Sequence, residues 1–70
     1  RLNKCILQNV NLSKANLQAI SVIGADLKNA NLSGADLTGA HFRDVLLAGA
    51  DLTEAILNKS NVKFREFRKK

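Results

Sequence analysis

Every fifth residue from Leu2 is apolar: Leu2, Leu7, Leu12, Leu17, Val22, Leu27, Leu32, Leu37, Phe42, Leu47, Leu52, Leu57, Val62 and Phe67. With 46% of the chain apolar, such an unbroken column in any of five phases arises by chance on the order of once in ten thousand sequences. Five is neither the ~3.6-residue period of a helix nor the period of 2 of a flat strand. The backbone must therefore be one that can use a five-residue step.

A second, smaller apolar column runs two residues ahead of the first: Cys5, Val10, Ala15, Ile20, Ala25, Ala30, Ala35, Ala40, Val45, Ala50 and Ala55. Between the columns stand Asn11, Asn16, Asp26, Asn31, Asp36, Asp51 and Asn61, and all four glycines, Gly24, Gly34, Gly39 and Gly49, fall two after a central residue. On an α-helix the central residues would be rotated by ~140° from one to the next, leaving no apolar stripe to bury. On a flat strand the next small residue would flip to the opposite face. Both columns face inward only if the chain turns through roughly a right angle once per block, so that four blocks close a coil of twenty residues. Successive coils then stack as parallel strands ~4.7–4.9 Å apart. Asn, Asp and Gly are expected at the corners, because they tolerate left-handed backbone angles and Asx side chains bond nearby amides.

A square coil also requires exceptions to recur at twenty. Before Phe67, the central residues that are not leucine are Val22, Phe42 and Val62, which with Leu2 would form one interior wall.

The repeated unit A-(D/N)-L-x-x, clearest in "GADLKNANLSGADLTGA" from Gly24 to Ala40, resembles the pentapeptide-repeat proteins. The resemblance covers residues 2–63 and implies an all-β fold, a right-handed quadrilateral parallel β-helix or solenoid, here of about three coils. Ile6, Ser21, His41, Leu46 and Ile56 depart from the unit at its Asn/Asp slot, and Arg65 and Lys70 at its small slot. The expected organisation is a β-helix over residues 1–63 followed by a basic cap or tail over 64–70.

Residues 1–58 hold five basic and five acidic side chains, whereas residues 59–70 hold six basic ones against Glu66, so the whole net charge of +5 lies in the tail. One cysteine, Cys5, and one histidine, His41, are too few for an internal disulfide or for a four-ligand Cys/His zinc site. No nucleophile, base and orienting partner stand at a spacing that catalysis needs, and a β-helix filled with leucine offers no pocket. The expectation is a chain that is not an enzyme and takes no metal or cofactor. Its apolar runs are far shorter than the ~20 residues of a membrane-spanning helix, no stretch has a secretory-leader pattern, and compartment is not legible.

Two surfaces are candidates for recognition. Ile6 and Leu46 would share one outward column, with Ile23 at the same corner, an apolar edge suited to a protein contact. Lys63, Arg65, Arg68, Lys69 and Lys70, interleaved with Phe64 and Phe67, would suit an anionic partner such as nucleic acid or a membrane surface. The alternative readings of that tail are a cover for the last coil and a solvated link. The leading expectation is a structural scaffold or protein-interaction module. A second, implied by the resemblance, is DNA mimicry that inhibits topoisomerases, which requires an acidic surface that this neutral body lacks. Open coil ends also permit end-to-end self-association.

Overall fold

The structure is a computed structural model and describes residues 2–62. Among these residues there are strands, bridges and turns and no helix. Three short strands, β1 (Leu2–Asn3), β2 (Ser21–Ile23) and β3 (His41–Arg43), form one parallel sheet in the order β1-β2-β3. The register places Leu2 beside Val22 and Val22 beside Phe42. These are the residues expected to share a wall.

Three further ladders of single parallel bridges complete the pairing. They run Ile6–Asp26–Leu46, Asn11–Asn31–Asp51 and Asn16–Asp36–Ile56. Every partner lies twenty residues away, and the ladders follow one another at five-residue steps. Parallel neighbours need a long connection between them, and here the other three ladders supply it.

The hydrogen bonds repeat with the same regularity. The Asp26, Asn31 and Asp36 N–H groups donate to the carbonyls of Cys5, Val10 and Ala15 at 2.8–2.9 Å. In the other direction the Leu7, Leu12 and Leu17 N–H groups donate to the carbonyls of Asp26, Asn31 and Asp36 at 2.7–2.8 Å. Central residues therefore turn their side chains inward while their amides bind along the stack. The buried set is Val22, Ala25, Leu27, Ala30, Leu32, Ala35, Leu37, Ala40, Val45, Leu47 and Ala50. Both expected inward columns supply it, and no polar or charged residue is buried among the described residues.

The corners are set by backbone sign. Lys4, Asn9, Lys14, Ala19, Gly24, Asn29, Gly34, Gly39, Asp44, Gly49, Glu54 and Lys59 all have φ between 53° and 75°. Each is two residues after a central residue, the slot where all four glycines lie. Every Leu-centred block from Leu7 to Leu57 closes with a bond from the N–H three residues on, as from Ala35 to the Leu32 carbonyl at 3.1 Å. With positive φ at its third position, this is the geometry of a type II turn. No such bond closes the blocks centred on Val22 and Phe42. There the chain instead runs extended through β2 and β3, so one wall differs from the other three in its turns as well as its side chains.

The Asx slot requires a correction to the sequence expectation. Asn11, Asn16, Asp26, Asn31, Asp36 and Asp51 stand on the bridges of the walls, and the corner proper is three residues further on. Likewise His41 begins β3 and is not at a corner.

Candidate functional site

The outer walls carry the side chains available for recognition, and the Asx residues stiffen them. The Oδ1 atom of Asn11, Asn16, Asp26, Asn31, Asp36 or Asp51 accepts the N–H of the residue two further on, at 2.9–3.2 Å. Where that residue is Ser13, Ser33, Thr38 or Thr53, its hydroxyl donates to the same oxygen. Each such unit is an Asx turn leading into the corner.

Two glutamines tie neighbouring rungs together. Gln8 Nε2 donates to Asp26 Oδ2, and Gln18 Nε2 donates to Asp36 Oδ2, both at 2.6 Å. These ties were not anticipated from the sequence. The available signal is a Gln eighteen residues ahead of an Asp in the Asx slot.

These bonds set the acidity of three carboxyls. Asp26 is held below the usual carboxylate range chiefly by the Gln8 amide, with the Lys28 N–H and its ammonium adding to the effect and partial desolvation opposing it. Asp36 is lowered by the Thr38 hydroxyl, then by the Thr38 N–H and Gln18. Asp51 is lowered by the Thr53 hydroxyl and N–H. A carboxylate that accepts several donors stabilises its charged form.

Of the expected apolar edge, Ile6 is 79% exposed and Leu46 53% exposed, on one ladder with Asp26 between them. Ile23 is half-buried on β2, between Asn3 and Arg43. The structure thus aligns Ile6 and Leu46 and sets Ile23 on the adjoining wall. Ile56, 44% exposed, stands on a different ladder beside Asp36. Cys5 is half-buried in the small inward column. Among the described residues, no three His, Cys, Asp or Glu side chains gather as a metal site. The tail candidates Lys63, Arg65, Arg68, Lys69 and Lys70 lie outside the described residues.

The upper rim has its own closure. Asn61 turns its side-chain amide onto β3, where Oδ1 accepts the Phe42 N–H at 2.7 Å and Nδ2 donates to the Phe42 carbonyl at 3.1 Å.

A family model for pentapeptide repeats matches residues 5–44 and 25–63, in eight copies. No curated protein matches the chain. Among the described residues no helix is long and apolar enough to cross a membrane.

Proposed function

The chain belongs to the pentapeptide-repeat family, and on that premise we propose that it is a non-enzymatic scaffold whose flat outer walls bind another protein. In this reading residues 2–62 wind as a right-handed quadrilateral β-helix of about three twenty-residue coils. Support for the winding comes from the constant pairing distance of twenty and from the positive φ in every block.

The observation that carries the binding role is the exposure of Ile6 and Leu46 on an otherwise polar ladder. Large apolar side chains held outward on a stiff wall are suited to a protein contact. The interior supports a non-catalytic role, since its slots are filled with Leu, Ala and Val and chemistry requires a concave site.

The scaffold reading is preferred to DNA mimicry on charge. Each bridge ladder holds a single acid, Asp26, Asp51 or Asp36, stacked with apolar or amide neighbours. Mimicry of a duplex depends on rows of like charge that complement a basic cleft.

The test is affinity capture with the wild-type chain and with a triple variant, Ile6→Ser, Ile23→Thr and Leu46→Ser, both verified as folded by dichroism. A partner retained by the wild type and lost from the variant supports the edge. An unchanged set of partners removes it.

A further inference from the structure

We propose that the upper rim of this chain binds the lower rim of a second copy, continuing the stack in the same twenty-residue register. This goes beyond the wall-contact reading and rests on the rim backbone and on the corner residues Lys4, Lys14, Asp44 and Glu54. Along three walls the two rims carry matching free groups. Among the described residues, the Ile6, Asn11 and Asn16 N–H groups find no acceptor at the lower rim, and the Val45, Ala50 and Ala55 carbonyls find no donor at the upper one. Within the chain, the same pair of slots is bonded wherever a rung lies above, as in Asn31 N–H to Val10 carbonyl at 2.8 Å. The reverse set also matches, since the Leu47, Leu52 and Leu57 N–H groups find no acceptor among the described residues. Their equivalents Leu7, Leu12 and Leu17 donate to the rung above at 2.7–2.8 Å.

The side chains at the two rims are complementary in charge and in polarity. At one corner the slots run Lys14, Gly34, Glu54, and at another Lys4, Gly24, Asp44, all with positive φ. A copy continuing the register sets its Lys14 above Glu54 and its Lys4 above Asp44. It also sets its Ile6 above Leu46, joining the two most exposed large apolar side chains among the described residues. Asp51 meets Asn11 and Lys59 meets Ala19, so none of these slots places like charges together. Opposite charges across adjacent rungs favour one register over its neighbours.

The strand wall does not take part. Asn61 already occupies the edge of Phe42, and Val62 packs on the core there. The incoming copy's β1, two residues long, yields that slot, and short terminal strands fray at little cost. The contact joins an upper rim to a lower rim, so it is heterologous and leaves an open rim at each end. Such contacts generate linear series and not closed dimers.

The experiment is sedimentation of the full 70-residue chain from micromolar to millimolar concentration. The expected result is a series of oligomers that lengthens with concentration. Lys14→Glu and Glu54→Lys should each weaken association about five- to tenfold, since each turns an attraction into a repulsion, and the two together should restore it. Lys4→Asp with Asp44→Lys repeats the test at the second corner should the first pair perturb folding. A strict monomer at millimolar concentration, a closed dimer, or a double exchange that fails to restore association would overturn the proposal. None of these variants touches Ile6, Ile23 or Leu46, so the outcome is separable from that of the wall-contact test.

Discussion

Asn61 meets Phe42 through its side chain where, one coil below, backbone meets backbone. Its carboxamide supplies an acceptor for the Phe42 N–H and a donor for the Phe42 carbonyl, the two functions a further strand would provide. An exposed strand edge is a template for unwanted pairing, and a side-chain amide has the same donor and acceptor chemistry as a peptide group. Asn61→Ala should cost about 1 kcal/mol, the scale of one or two solvent-accessible hydrogen bonds. It should also speed amide exchange at Phe42. Unchanged exchange there would show that the amide does not guard the edge.

The core prediction concerns Leu32, fully buried in the middle of the stack. Leu32→Ala should cost about 2–5 kcal/mol by loss of buried contacts and creation of a cavity. Leu32→Asp should abolish folding, because no basic or polar side chain is buried nearby to compensate the charge. Chemical denaturation followed by dichroism reads both, and a cooperative transition of native midpoint for Leu32→Asp would be incompatible with an inward position.

Corner chemistry can be tested within one ladder. Ala19 has φ 58° and stands beside Gly39 with φ 71°. A side chain at positive φ carries a steric penalty that glycine avoids, so Ala19→Gly should raise stability by about 0.5–1 kcal/mol, less if the extra freedom of the unfolded chain offsets it. Gly39→Ala should lower stability by about 1 kcal/mol, through strain alone, because its new Cβ would lie 3.9 Å from the Ala19 backbone. Gly49→Ala should cost more, since its Cβ would collide with the Asn29 side-chain oxygen as well. Melting temperatures of the three variants should follow that order.

Acid should weaken the walls before any other change of pH does. The carboxyls of Asp26, Asp36 and Asp51 are all held below the usual carboxylate pKa range in the folded chain. A depressed folded pKa gives stability that is present above the unfolded value of about 3.9 and is lost as pH falls through the folded one. Thermal stability should hold from neutrality to about pH 5 and decline below about pH 4. Replacing the three by Asn, which keeps the Oδ1 acceptor, should flatten the decline. Thr38→Val should reduce it in part, by removing the hydroxyl that contributes most at Asp36. A triple variant with the wild-type acid profile would place the acid sensitivity elsewhere.

The inward columns were legible because burial at a fixed step leaves a compositional mark that no solvent-facing position shares. Leu27, Leu32, Leu37 and Leu47 could be placed inside from spacing alone. The corner slot was half-legible. Gly24, Gly34, Gly39 and Gly49 announce it, while Lys4, Lys14, Ala19, Glu54 and Lys59 adopt the same backbone sign with no mark in their identity. Their strain is tolerated because stacking against the neighbouring coil fixes the corner, and that energy is non-local. The Asx residues misled in position only, since their tendency to bond an amide two residues on operates equally well from a wall and from a corner.

The sequence by itself determined the period, the two inward columns and the column of exceptions at Val22, Phe42 and Val62, because each is a statement about which side chains leave water. Only the tertiary structure decided which wall would run extended, that Gln8 and Gln18 would bind Asp26 and Asp36, and that Asn61 would occupy the edge of Phe42. Those outcomes depend on which groups the stacking brings within hydrogen-bond reach. Residues eighteen to twenty apart have no local interaction through which the sequence could reveal them.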